Sequence, residues 1–275
     1  MSRRGDTAAS SYAHSPVSAS GNGLDQYRIV REIGEGGFGR VFQAEHKLLG
    51  EYACLKQNRE RNPEHVELLR REAKVIWRLY EHHSIPSAKD FFIVEEDSAV
   101  LVTSYIDGET LEGIVKRNGR LHPEDASWMA ERLLGALHYC HYNGVIHSDV
   151  KPQNLFVEEK KHDIKLIDFG LSVYRPTHAT TPTGNTPLYA APELTLGKPP
   201  LPQTDLYGAG IVLLYALGGD VLSKSFPPDT PRELADFGKR LLRYDPQERP
   251  CWDENLIETI SDIRLRSFGR RHTSG

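Results

Sequence analysis

Two short stretches of the 275-residue sequence carry groups able to do chemistry together: His147-Ser-Asp149-Val-Lys151-Pro-Gln-Asn154 and Asp168-Phe-Gly170. The first offers a general base in Asp149, a cation in Lys151 and an amide in Asn154, five residues after the base. The second sets a carboxylate nineteen residues after Asp149, on a short turn with glycine behind it. That is the set phosphoryl transfer requires: a group to orient a hydroxyl, a positive charge for the moving phosphate, and oxygen ligands for magnesium. The first stretch alone could be a polar turn after the apolar Val145-Ile146. Both stretches in this order, with a glycine loop upstream, make coincidence a poor explanation.

Such groups need elements to hold them. Ile33-Gly34-Glu-Gly36-Gly37-Phe38-Gly39-Arg-Val41 matches G-x-G-x-x-G, a weak signal alone because dinucleotide-binding domains share it. There the loop opens a helix. Here it runs into Val41-Phe-Gln-Ala44, and the chain returns past Gly50 as Tyr52-Ala-Cys-Leu-Lys56, so strand–loop–strand is expected, a flap whose backbone N–H groups can approach phosphate oxygens. A helix follows, with Asn62 as N-cap and Pro63 at its first position. Val66, Leu69, Ala73, Ile76 and Tyr80 repeat with helical period, and Glu72 falls on that stripe. A carboxylate on a buried face needs a cation or it loses its charge. More strand follows at Phe91-Phe-Ile-Val94 and Val100-Leu-Val-Thr103. After Gly108 the sequence turns helical. His122-Pro123 opens a long helix lined by Met129, Leu133, Leu134, Leu137 and Cys140, and Asn143-Gly144 ends it. His138, Cys140 and His141 on that helix point different ways and read as packing, not as metal ligands.

Composition sets limits. Apolar residues make up 39% and the net charge is −4, so a core is affordable in size and no global basic field calls for nucleic acid. No apolar run approaches about 18 residues, which argues against a membrane span. Met1-Ser-Arg-Arg leads into Ser, Ala and Gly, unlike a secretory signal. Three widely spaced cysteines, Cys54, Cys140 and Cys251, suggest reduced thiols and a cytoplasmic protein. Residues 1–24 are poor in large apolar side chains and are expected to be disordered. Residues 263–275, with Arg264, Arg266, Arg270 and Arg271, are expected to form a basic flexible tail.

These residues and motifs resemble the eukaryotic-type Ser/Thr protein kinase family, from about Tyr27 to Asp262. The resemblance implies an α+β, two-lobed protein-kinase-like fold: a kinase domain over 25–262, with a strand-rich N-lobe (25–103), a hinge (104–108) and a mainly helical C-lobe (109–262). It implies ATP and Mg as cofactors and a protein substrate with a Ser/Thr acceptor. Ala53-Cys-Leu-Lys56 corresponds to V-A-I-K, so Lys56 should hold phosphates and pair with Glu72. Asp149 is similar to the catalytic base, and Asn154 and Asp168 to the magnesium ligands. Lys151 resembles the lysine that steadies the γ-phosphate in Ser/Thr-directed members. The nucleotide site would comprise Gly34, Gly36, Gly37, Phe38, Gly39, Val41, Cys54, Lys56, Glu72, Thr103, Ser104, Tyr105, Asn154 and Phe156. Thr186-Pro-Leu-Tyr-Ala-Ala-Pro-Glu193 resembles the end of the activation segment, Asp205-Leu-Tyr-Gly the helix that anchors the catalytic loop, and Arg249 the arginine that pairs with Glu193.

The sequence also departs from the family. H-R-D reads His147-Ser148-Asp149, and the missing arginine usually receives a phosphate on the activation loop. Activity is therefore expected not to depend on phosphorylation of that loop. Cys54 stands where alanine usually roofs the adenine pocket, as a small buried side chain or as a reactive thiol. Between about Gly218 and Pro231 a Pro-rich link replaces a helix that usually docks substrates. A pseudokinase-type binding scaffold and a small-molecule kinase on the same fold are the alternatives.

Overall fold

The computed structural model describes residues 23–36 and 39–270. Its first part is a five-stranded antiparallel sheet of β1 (Tyr27–Gly36), β2 (Gly39–His46), β3 (Tyr52–Gln57), β4 (Ala88–Glu95) and β5 (Ser98–Ser104), in the spatial order β1-β2-β3-β5-β4. Period-two alternation builds it. Phe42 and Ala44 of β2 and Ala53 and Leu55 of β3 cluster with Phe92, Val100 and Val102. Val41 stands opposite Lys56 across the same pair of strands, and Cys54 opposite Thr103.

Helix α1 (Pro63–Arg78) crosses between β3 and β4. Asn62 caps it by accepting from the Glu64 N–H at 2.8 Å, with Pro63 at the first position. Val66, Leu69, Ala73 and Ile76 face inward, and Glu72 is buried among them. The stripe ends there. Tyr80 lies past the last turn and is 62% exposed, because Leu79 already caps the helix.

From residue 109 the chain is mainly helical: β6 (Glu109–Thr110), α2 (Leu111–Asn118), α3 (Pro123–Tyr142), β7 (Val145–Ile146), β8 (Leu155–Glu158), β9 (Asp163–Leu166), β10 (Val173–Tyr174), α4 (Pro192–Thr195), α5 (Pro202–Ala216), α6 (Arg232–Leu241) and α7 (Leu256–Phe268). Helices α3 and α5 supply much of its core, including Met129, Leu133, Leu137, Leu206, Val212 and Leu213. The short strands form two small sheets, β6-β8-β9 and β7-β10, which carry the loops at the cleft. This is the expected α+β, two-lobed arrangement. No helix among the described residues is long and apolar enough to cross a membrane, and Cys54, Cys140 and Cys251 are free. The described residues between α5 and α6 form no helix, and Asp220 and Ser225 there make an isolated bridge.

The expected tail is corrected. The chain does not fray at Asp262: α7 runs to Phe268, with Leu256, Ile260 and Ile263 buried on one face. Arg264, 1% exposed, pairs with Glu131 of α3, and Arg270 bonds to Glu124 at 2.9 Å. These arginines read as solvated from sequence because their partners lie more than a hundred residues away. At the other end, Gly23 (φ 83°) leads into a 3-10 turn at Leu24–Gln26, so the expected disorder does not extend to residue 24. Residues 1–22 and 271–275 lie outside the described residues.

Candidate active site

The cation that Glu72 needs is Lys56. Its Nζ donates to Glu72 Oε1 and Oε2 at 2.9 and 2.8 Å and to Asp168 Oδ1 at 2.7 Å. Strand β3 fixes the lysine and α1 the glutamate. Asp168 is itself left-handed (φ 62°) and opens the turn Phe169–Leu171. Phe169, 1% exposed, anchors that turn edge-on against the His147 ring, 4.7 Å between centroids. Burial alone would push the Lys56 ammonium down, but Glu72 and then Asp168 hold it above its ordinary range. Burial raises the Glu72 carboxyl against the pull of Lys56. Burial also pushes Asp168 up, yet Lys56, with His147 and Lys151, holds it below its ordinary value.

Asp149 is the second focus. Its Oδ2 accepts from Lys151 Nζ at 2.6 Å and Asn154 Nδ2 at 3.0 Å, and its Oδ1 from the Thr186 hydroxyl at 2.7 Å. Lys151 Nζ also donates to Thr186 Oγ1 at 2.8 Å. The loop is pinned from below by Asp205 of α5, whose carboxylate accepts the backbone N–H of His147 and of Ser148, each at 2.8 Å. Hydrogen-bond logic assigns two tautomers here. The Trp252 indole can only donate, so His141 Nδ1 accepts it and His141 Nε2–H donates to Asp205 Oδ2. The Ile167 carbonyl can only accept, so His147 Nε2 carries the proton and Nδ1 accepts the Asp149 N–H. Ser148, in place of the arginine, is left-handed (φ 67°), and its buried hydroxyl has no hydrogen-bond partner among the described residues.

On the nucleotide side the glycine loop is the β1–β2 hairpin, as expected, with Gly36 paired to Gly39. A Cβ at Gly39 would lie 2.2 Å from the Gln57 carbonyl oxygen, so the loop can close over β3 only with glycine there. Gly37 and Phe38 lie outside the described residues. Lys56, Glu72 and Asp168 meet in one cluster, and Asp149, Lys151 and Asn154 in the other. Cys54 shares β3 with Lys56, and Val41 of β2 and Thr103 of β5 lie on the two strands that flank it. Burial pushes the Cys54 thiol up, partly offset by Thr103, which favours the small inert side chain over the reactive thiol. The Ser104 hydroxyl accepts from the Ser87 N–H at 3.1 Å, and Tyr105 lies against Tyr52 with ring centroids 5.8 Å apart. Phe156 sits on β8, two residues after Asn154 and opposite Lys165 of β9.

Farther from the cleft, Arg249 and Glu193 form a buried bidentate pair at 2.7 and 2.9 Å. Reading the sequence did not place Thr186 on the Asp149 carboxylate, nor His141 and Trp252 behind Asp205. Asp205 carried a usable signal, an acid in α5 just ahead of its long apolar run. Trp252 carried none, since its partner is 111 residues away.

The model of the protein kinase domain family matches residues 27–227. The chain is 36% identical over 199 residues to a Serine/threonine protein kinase OSK3 from Oryza sativa, covering 70% of this chain and 38% of that protein. It is 30% identical over 252 residues to Serine/threonine-protein kinase PrkC of Bacillus subtilis, covering 89% and 37%. To Serine/threonine-protein kinase PknA of Mycobacterium tuberculosis it is 32% identical over 260 residues, covering 91% and 59%. The chain thus spans between about two fifths and three fifths of these relatives' lengths. With that match across well over half of its residues, and both charge clusters inside the matched span, the chain belongs to the protein kinase domain family.

Proposed function

We propose that the chain transfers the γ-phosphoryl group of ATP, with magnesium, to Ser and Thr hydroxyls of proteins, without needing a phosphate on its activation segment. The observation that carries this reading is the Asp149 carboxylate, which accepts at once from an ammonium, an amide and an alcohol. A carboxylate that already accepts from one alcohol is suited to orient a second. Lys151 beside it would offset charge on the transferred group. Lys56 would meet the α- and β-phosphates under the loop of Gly34, Gly36, Gly37, Phe38 and Gly39. Val41, Cys54, Thr103 and Phe156 would enclose the base, with Ser104 and Tyr105 at its edge.

The donors suit magnesium. Asn154 uses its Nδ2 in both of its side-chain bonds, leaving Oδ1 for a ligand, and Asp168 engages Lys56 through Oδ1, leaving Oδ2. Two hard oxygens of this kind, completed by phosphates and water, match the ion's preference, and it would offset charge on the phosphates. Independence from loop phosphorylation is supported by Ser148, which stands where an arginine would receive the phosphate.

The test is incubation of the purified chain with labelled ATP, magnesium and a degenerate Ser/Thr peptide library. Transfer to Ser/Thr peptides is expected. Nucleotide binding with no transfer and no autophosphorylation would point to a binding scaffold, and transfer confined to small hydroxyl compounds would point to a small-molecule kinase.

A further inference from the structure

Two guanidinium groups lie over the ring of Tyr174 in β10. Arg78 Cζ is 4.2 Å from the ring centroid and Arg175 Cζ 5.2 Å. Arg78 is the last residue of α1, six after Glu72, and Tyr174 comes six after Asp168. The contact therefore joins the helix that carries one partner of Lys56 to the segment that follows the other. It also reaches the catalytic loop: Tyr174 pairs with Val145 of β7, and the Arg175 N–H donates to the Gly144 carbonyl at 2.7 Å, just ahead of His147-Ser148-Asp149.

Three further observations mark the contact as built. Gly144 has φ 76°, and a Cβ there would come 3.0 Å from Arg175 Cγ and 3.6 Å from Tyr174 Cε2. The arginine stem thus occupies room that glycine leaves, with the ring in ordinary contact beside it. Arg175 itself is left-handed (φ 47°), which is uncommon for a long side chain and persists where surroundings enforce it. Finally, no ion pair to a carboxylate is formed by Arg78 or Arg175 among the described residues, so the aromatic face is the electrostatic partner both guanidiniums share.

We infer that Arg78, Tyr174 and Arg175 form a cation–π clamp that keeps α1, and with it Glu72, seated against Lys56 and Asp168 in the absence of any activation-segment phosphate. Arg78 and Tyr174 are positioning residues that act through Glu72. The inference rests on the proposed phosphoryl transfer for its kinetic readout, and hydrogen exchange tests it without catalysis.

The experiment compares wild type, Tyr174→Leu, Tyr174→Phe and Arg78→Gln in the full chain, before and after phosphatase treatment. It measures amide exchange over residues 66–78, kcat and the KM for a Ser/Thr peptide. The Leu and Gln variants should speed exchange in α1 and lower kcat, each by roughly two- to tenfold, with KM within about twofold. The Phe variant, which keeps the ring face, should match wild type, and phosphatase should change none of the four. Unchanged exchange in the Leu variant overturns the clamp, as does a Phe variant as impaired as Leu. A phosphatase-induced loss in wild type that Arg78→Gln does not share would also overturn it, and would make the arginines a phosphate receptor. If Tyr174→Leu unfolds, the surface variant Arg78→Gln decides. A wild type that transfers no phosphate would remove the proposed function, while exchange still decides the clamp.

Discussion

Arg249 and Glu193 meet in the helical half with every bond direction used, whereas Lys56, Glu72 and Asp168 meet at the cleft with one ammonium held between two carboxylates. The five N–H groups of Arg249 go to the two Glu193 oxygens and to the carbonyls of Gln203, Arg243 and Tyr244, all at 2.7–3.0 Å. Thr204 donates to the same glutamate at 2.7 Å. A buried pair satisfied in this way fixes geometry and has no capacity left for a ligand. The cleft cluster is unbalanced by one negative charge, and among the described residues Asp168 Oδ2, and Asn154 Oδ1 of the neighbouring cluster, take no protein donor. Saturation marks where shape is locked. Imbalance marks where a charged ligand would complete the site.

The contrast can be broken most sharply at the cleft. Asp149→Asn should lower kcat about 10²–10⁴-fold while leaving the unfolding midpoint near that of wild type, and Lys56→Met should be similarly inactive. Full turnover in either variant would remove those residues from the chemistry. At the saturated pair the expectation reverses. Arg249→Met strands the Glu193 carboxylate and should cost roughly 3–5 kcal/mol in urea unfolding, with turnover per folded molecule changed only a few-fold. If that variant is as stable as wild type but inactive, the division into locked and responsive clusters fails.

Acid separates the two clusters by sign. Burial pushes Glu193 up, but the bonds from Arg249 and Thr204 leave it below its ordinary 4.5. Its contribution to stability is therefore complete above that ordinary value and is lost as pH falls through the lower folded one. Glu72 is shifted the other way, above 4.5, by burial. It takes up its proton first on acidification, and the proton weakens its hold on Lys56. Activity should thus fall at a higher pH than stability does, read from a pH–rate profile beside unfolding curves of wild type and Glu193→Gln. The stability gap between those two proteins should narrow only below the ordinary carboxylate range. Coincident loss of activity and fold would contradict the assignment. The smallest effect is expected on the activation segment: replacing Thr177, Thr180, Thr181 and Thr183 together by Ala should leave turnover near normal. A hundredfold loss would show that a phosphate there is needed after all.

Much of the frame was legible because its signals are local. Asn62 and Pro63 announce α1, the apolar repeat from Val66 to Ile76 orients it, and Glu72 on that repeat asks for a cation that Lys56 supplies. The strands of the sheet follow from alternation over a few residues. What was not legible depends on partners far along the chain. Arg264 reads as one of several solvated arginines, yet it is buried against Glu131 and extends α7 past the expected fray point. Thr186 reads as the end of the activation segment, and nothing in that stretch announces that its hydroxyl reaches the carboxylate of Asp149, 37 residues earlier.

The sequence by itself determined the elements, the two-lobed α+β plan, and the chemical inventory of base, cations and oxygen donors, because each is encoded in spacing over a turn or a strand. The tertiary structure alone decided the partnerships that no local spacing announces. Asp205 gathers the amides of His147 and Ser148, Trp252 sets the tautomer of His141, and Tyr174 comes to rest under two guanidinium groups. Hydrogen bonds and charge pairs of this kind act over about 3–5 Å in space and carry no period along the chain. Only the packed fold can say where they form.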